Sequence, residues 1–334
     1  MTFGGNSCDG VPAPDTLPFI TAALSLGLAL LTIPGNFLVC LAVWKDPYKC
    51  LRTPFTFFVI NLAISDLIVG MVVEPLSIYM HFREGFSLKL NNVWSIHMSY
   101  FISCTASVLN LAALTVDRFT AISHPLQYRA RLTITRACII AAVIWLVSFA
   151  LPFIYFEVGY LLYTFVFANT AIAFTLIIFL ATYVGSLKSM RAQAMEWNML
   201  RDSSQTEENR AKIRAAAFER NITQVFVVML GLFLCCYTPS LVMIYLMNLC
   251  SSCSCYTIHI CRDMQFIFVL CSSALNPFIY AWRLPNFRKA FIKILRWRKG
   301  NQEIAPANTV SMGNTATSTV ESAWLNDWND FTDK

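Results

Sequence analysis

Seven runs of apolar residues, each the length of a helix, constrain this chain more than any other feature: 18–44, 54–80, 95–119, 134–156, 160–187, 221–248 and 264–283. A helix that crosses a bilayer needs about 20 mainly apolar residues. Only helices and closed barrels satisfy every backbone N–H and C=O in lipid. The runs lack the alternating segments of about ten residues that barrel strands show. Of the 334 residues 57% are hydrophobic and 13% charged, where soluble domains carry roughly 25% charged residues. A water-soluble fold of this size could not hide so much apolar surface. The expected fold class is an all-α membrane protein, a seven-transmembrane helix bundle.

Orientation follows from the placement of Lys and Arg. The first loop on one side holds Lys45, Lys49 and Arg52, the next holds four such residues, the third seven and the segment from Arg283 onward eight, so 22 of the 25 lie on that side. Only Arg83, Lys89 and Arg262 lie opposite. This places the N terminus outside and the C terminus in the cytoplasm, as an odd number of crossings requires. The net charge of +6 is thus a topology signal and not the footprint of a nucleic-acid binder. Residues 1–17 contain no basic residue, so no signal peptide is expected there, and the first span is expected to direct its own insertion. The sole N-x-S/T site, Asn221-Ile222-Thr223, falls on the cytoplasmic side, so no outer N-glycan is expected. The expected organisation is an extracellular segment 1–17, the transmembrane domain 18–283, an amphipathic surface helix 284–298 and a disordered cytoplasmic tail 299–334.

Polar residues inside spans are costly and therefore informative. Asp66 sits mid-span in NLAISDLIVG. An ionised carboxylate there needs partners or a cation, and Ser107, Ser273 and Asn276 could supply oxygens and an amide. Two readings fit: a polar knot that pins helices together, or a site for sodium or a proton. Pro239 and Pro277 lie deep in the sixth and seventh runs. Each removes a helical hydrogen bond and frees the carbonyl four residues earlier, at Cys235 and Ser273.

The third run ends on Asp117-Arg118-Phe119, followed by His124-Pro125-Leu126. With it come Gly35-Asn36 in the first run, Asn61 through Asp66 in the second, Trp145 in the fourth and Asn276-Pro277-Phe278-Ile279-Tyr280 in the seventh. This set, in this order, resembles the rhodopsin-like (class A) family of G-protein-coupled receptors, over about residues 18–297. The resemblance implies a receptor that passes binding of an extracellular ligand to a cytoplasmic heterotrimeric G protein by outward movement of helix six. Arg118 would be restrained at rest by Asp117 and by Glu219. Helix six would swing about Pro239, with Tyr237 at the ligand floor and Phe233 one turn below. Asn276, Pro277 and Tyr280 would complete the switch, and Pro125-Leu126 would offer an apolar knob to the G protein. The alternative for Arg118 is that it reaches out to lipid phosphates.

Departures from the family pattern narrow the group. No cysteine stands at the outer end of the third span, where Val93 and Trp94 lie. The second outer loop is nearly absent, which is expected to leave the pocket mouth open, and FANTAIAFTLII lacks the proline usual in helix five. Cys250, Cys253, Cys255 and Cys261, together with Cys8, are disulfide candidates in an oxidising compartment, with one thiol left over. These features resemble melanocortin receptors, within the group shared with lysophospholipid, cannabinoid and adenosine receptors. The ligand chemistry does not carry over. The acid of monoamine receptors corresponds to Tyr100, the retinal lysine to Leu270, the adenosine-binding Asn to Ile244, and the helix-two melanocortin acid to Leu76, two residues past Glu74. A peptide or lipid ligand is the remaining guess.

Candidate pocket residues are Glu74, His97, Tyr100, Cys104, Phe165, Tyr237, Ile244 and Gln265. Glu74 either faces the ligand as a counter-charge or reaches His81 or Arg83 at headgroup level. After the seventh span, LPNFRKAFIKILRW reads as a surface helix, with Phe287, Phe291, Ile294 and Leu295 on one apolar face and Arg288, Lys289, Lys293 and Arg296 towards headgroups. Residues 286–334 contain no cysteine to lipidate, so membrane lipids would be held by rings and bases alone. The Ser/Thr-rich end is either plain disorder or a segment whose phosphorylation recruits arrestin after a receptor kinase has acted. No cofactor is expected beyond a bound sodium ion. A transporter would want repeats or a polar path, and an enzyme a nucleophile–base or metal set, whereas His81, His97, His124 and His259 are scattered.

Overall fold

The computed structural model describes residues 11–51, 53–88, 92–123, 134–200 and 207–300; over 186–200, 207–227 and 297–300 it describes the helical backbone. Among the described residues seven helices are long and apolar enough to cross a membrane. They are span one, Leu17–Lys45; span two, Phe55–Gly85; span three, Val93–Ala121; span four, Thr135–Val158; span five, Tyr160–Gly185; span six, Val228–Leu249; and span seven, Cys255–Arg283. No strand occurs among the described residues. The end of the bundle expected to face the cytosol is called inner below. By contacts the chain divides into Met1–Ile294 and Leu295–Lys334, and the seven spans lie in the first unit.

Local chemistry sets the ends of these helices. Thr53 caps span two by accepting the Thr56 N–H, with Pro54 next to it, and proline is well suited to a first turn because its missing N–H has no partner there anyway. Ser254 caps span seven in the same way through the Thr257 N–H. Asp46 ends span one with φ 34, and its Oδ1 accepts the backbone N–H groups of Cys50 and Leu51, which folds the first inner loop on itself. Span two is not uniform. Its α-helix breaks into a π turn over Val69–Val73 before resuming at Glu74. Pro75 explains the break, since it cannot donate to the carbonyl four residues back and its ring would crowd it.

Span four ends in a 3-10 turn, Leu151–Ile154, and one α turn, Tyr155–Val158. Gly159 alone then links it to Tyr160 of span five. Its φ of 79 and ψ of 171 fall in a region open in practice only to glycine. Span seven starts nine residues before the apolar run that marked it. Its outer turns carry His259, Arg262 and Asp263, which lower the local hydropathy although Asp263 is buried.

The bundle is held by one large apolar cluster running through spans one to seven, with Phe58, Phe101, Leu114, Leu270 and Tyr280 among its most buried members. Polar ties cross it. Trp145 donates its indole N–H to the Asn61 carbonyl oxygen at 2.9 Å, and Asn61 donates to Asn110 at 2.6 Å, joining spans two, three and four. The helix after span seven, Pro285–Gly300, differs from the expected amphipathic surface helix in one respect. Phe287, Phe291 and Ile294 are buried in the main apolar cluster, whereas Leu295 is 55% exposed. In an α-helix Leu295 lies about 40° on from Phe291 and about 100° on from Ile294, at the edge of the same apolar stripe.

Candidate functional site

The candidate residues form an axis through the bundle. Near mid-membrane, Asn276 Nδ2 donates to Asp66 Oδ2 at 2.8 Å. Oδ1 of Asp66 is buried without a hydrogen bond of regular geometry, while the Ser273 hydroxyl interacts with the same carboxyl. Pro277 cannot bond the Ser273 carbonyl, and Asn36 of span one fills that place, donating its Nδ2 to the Ser273 oxygen at 3.1 Å. Gly35 permits this approach: a Cβ there would stand 3.0 Å from Cγ of Pro277. Ser107 turns to Ser65, 3.4 Å away, and so does not bond Asp66. It instead lines a small cavity with Ser103, Cys104, Tyr100, Tyr237 and Ser273, roomy enough for about one water.

In the wall of this cavity the Cys104 thiol sits between the Tyr100 and Tyr237 hydroxyls, and Tyr237 stacks on Phe233 with centroids 3.8 Å apart. His97 and Gln265 meet at Tyr160. The His97 ring stacks on it at 4.1 Å, and Gln265 donates to its hydroxyl at 3.1 Å. Ser240 of span six reaches Gln265 in turn at 3.4 Å. His97 Nδ1 also lies 2.9 Å from the Tyr155 hydroxyl. A single-residue link between spans four and five thus sets Tyr155 and Tyr160 against His97.

The remaining pocket candidates lie elsewhere. Phe165 and Ile244 belong to a separate apolar cluster with Ala168, Met247 and Cys261. Glu74 is fully buried and accepts from Thr32 of span one at 3.1 Å; it reaches neither the cavity lining nor His81. The π turn decides this, since one extra residue in span two rotates everything beyond it by about 100°.

At the inner end Arg118 donates from Nε and Nη2 to Oδ2 of Asp117, at 2.8 and 2.6 Å. Both side chains are buried, and the Arg118 guanidinium lies 4.6 Å over the Phe55 ring. Glu219 falls where only backbone is described, and Pro125 and Leu126 lie outside the described residues. Tyr280 is wholly buried beside Phe287, and Pro239 lies within the sixth helix.

A rhodopsin-family model of seven-transmembrane receptors matches residues 35–159 and 154–280. The chain belongs to that family. It is a class A G-protein-coupled receptor. The adenosine receptor A2a of Canis lupus familiaris is 28% identical over 318 residues, covering 83% of this chain and 72% of that protein. A D(1)-like dopamine receptor of Takifugu rubripes is 28% identical over an aligned 342 residues, covering 86% and 74%. Squid rhodopsin, in its crystal structure, superposes with a TM-score of 0.70 at 18% identity, over 89% of this chain and 94% of that one, which shows the fold.

The outer cysteines of the receptor divide unevenly. Cys250 and Cys253 are joined, and Cys255 is disulfide-bonded as well, while Cys8 lies outside the described residues. Cys261 is a correction to the candidate set: it is a free, buried thiol packed on Ile244 and Met247, because span seven begins before it and not after.

Sequence reading missed a charged group at the outer ends of spans one, two and seven. Arg262 forms a double hydrogen bond to Glu84, at 2.9 and 2.8 Å, and a third bond to Asp263 at 2.7 Å. Asp263 also accepts from Thr21 at 3.0 Å and lies 3.5 Å from His81 Nε2. The adjacent opposite charges in CRDMQ were the available signal, but they fell in a segment read as loop.

Proposed function

We propose that this receptor rests in the packing described here, with Arg118 latched, and that a ligand bound above Tyr237 releases it. The observation that carries the reading is the buried Arg118–Asp117 pair capped by Phe55, at the inner end of a span whose outer half reaches the cavity. On release, helix six moves outward about Pro239 while Phe233 and Tyr237 restack. Arg118 then meets the G protein, with Pro125 and Leu126 as a second contact and Glu219 as a further restraint at rest. The pocket is formed by Tyr100, Cys104, Tyr237, His97 and Gln265. The positions equivalent to amine- and adenosine-binding residues hold Tyr100 and Ile244, which favours a peptide or a lipid over the small molecules named for the 28%-identical relatives.

The reading places the protein in the plasma membrane, N terminus outside, and assigns the chain no catalytic step. Arrestin and a receptor kinase act on the Ser/Thr-rich tail, and lipids are held by the rings and bases of the last helix. Asp66, Ser273 and Asn276, with Ser107 across the cavity, fit a sodium ion. The donor set supports this: one carboxylate with an unbonded buried oxygen beside neutral hydroxyls suits a hard monovalent cation, since hard cations take oxygen ligands. Such an ion would hold spans two, three and seven in the resting arrangement. The experiment is nucleotide exchange on purified heterotrimers with the receptor in nanodiscs. Arg118→Ala is expected to reach the membrane and lose exchange; exchange at the wild-type rate would reject the latch.

A further inference from the structure

We propose that the outer ends of spans one, two and seven form a proton site centred on His81, filled in the packing described here. Both ring nitrogens face acceptors. Nδ1 lies 2.8 Å from the Ser77 carbonyl oxygen, which can only accept. Nε2 lies 3.5 Å from Oδ1 of Asp263. A neutral imidazole has one N–H and cannot serve both; the imidazolium has two. The Ser77 hydroxyl lies 3.2 Å from Nδ1 and 3.0 Å from the Ser25 hydroxyl of span one, to which it can donate when Nδ1 carries a proton.

Charge balance gives the same answer independently. The cluster holds the Glu84 and Asp263 carboxylates and the Arg262 guanidinium. A proton on His81 brings the sum to zero, and without it one negative charge is left in a largely buried group, with a lone pair aimed at a carboxylate. Burial of an unbalanced charge is costly. Among the described residues the groups facing His81 are few. Span seven brings Asp263 and Arg262, and its own helix brings Glu84. Span one brings only the hydroxyls of Thr21 and Ser25, its nearest ionisable residue in sequence being Asp15. On span three His97 bonds Tyr155 instead, and Arg83 turns to Tyr79.

The site ties three outer helix ends together in the arrangement whose inner end has Arg118 latched. The proton therefore favours the resting packing, and signalling rises as the outer solution becomes less acidic. His is the side chain whose charge changes between about pH 5 and 8.

The test follows thermal unfolding of the whole receptor in nanodiscs from pH 5.5 to 8.5. The wild-type midpoint is expected to fall by about 3 °C as pH rises, and that of His81→Gln, which cannot titrate, to stay level. Equal slopes in the two proteins, or a level wild-type curve, would overturn the proposal. Should His81→Gln fail to fold, Asp263→Asn, which removes the carboxylate that holds the proton, replaces it with the same expectation and the same refutation. Ligand-free nucleotide exchange is then compared at pH 6 and 8. Wild type is expected to be several-fold faster at pH 8 and His81→Gln unchanged. Exchange indifferent to pH with the thermal linkage intact would overturn the coupling to signalling. No exchange under any condition would instead count against the receptor reading, and the thermal result stands apart from it.

Discussion

Replacing Phe55 with Leu isolates the part of the latch that the family motif does not contain. Leu keeps most of the apolar volume that Phe55 buries at 6% exposure but removes the ring face under the Arg118 guanidinium, 4.6 Å away. A cation over an aromatic ring contributes about 0.5–1 kcal/mol when exposed and about 2 kcal/mol when desolvated, and this one is desolvated. If active packing separates Arg118 from Phe55, the loss falls on the resting state alone. A differential of about 1 kcal/mol changes a two-state ratio roughly fivefold, and about 2 kcal/mol roughly thirtyfold. With a minor state populated at about 0.1% basal exchange is expected to rise about five- to thirtyfold, and with one at about 10%, where the population saturates, about four- to eightfold. Nucleotide exchange by the purified, ligand-free receptor reads this directly. Phe55→Tyr retains the ring and serves as control, with exchange near wild type. A Phe55→Leu rate equal to wild type, or a Phe55→Tyr rate as high as that of Phe55→Leu, would refute the cation–ring restraint.

Three further outcomes are expected. Replacing sodium with choline at about 150 mM should lower the wild-type unfolding midpoint by about 2–4 °C and leave Asp66→Asn unaffected; equal sensitivity of the two would remove the ion from the account. Gly159→Ala forces a Cβ into a backbone region that costs about 1–3 kcal/mol, so the midpoint should fall by at least about 2 °C, and an unchanged midpoint would mean that the link between spans four and five relaxes freely. Trp145→Phe removes the indole N–H that Asn61 accepts; the expected loss is about 0.6–1.7 kcal/mol, measured by denaturant unfolding, and should vanish in an Asn61→Ala background.

The number of spans, the Asp117–Arg118 pair and the Asp66–Asn276 contact were legible because they rest on local signals. Apolar run length is set by bilayer thickness, and Asn36, Asp66, Asn276 and Pro277 occupy places where a missing backbone bond or a buried charge demands a partner. Four things were not legible. The π turn before Pro75 rotates Glu74 away from the cavity, and period counting assumes an unbroken α-helix. Span seven extends nine residues further out than its apolar run, since Arg262 and Asp263 satisfy each other and their neighbours, and hydropathy scores a paired charge like a free one. Tyr155 and Tyr160 both reach His97 because only one residue separates the helices that carry them, a matter of geometry and not of loop length alone. Phe287 and Phe291 bury against the bundle, whereas an amphipathic pattern shows that a face is apolar but not what covers it.

The central claim is that the inner ends of spans three and six are close when Arg118 is latched and part when it is released. Spin labels introduced through non-natural amino acids at Thr120 and Val228 would report that distance in nanodiscs. The account predicts one short distance in the ligand-free wild type, a second, longer population in Phe55→Leu, and the longer distance alone with nucleotide-free G protein bound. A single distance shared by all three samples would contradict it.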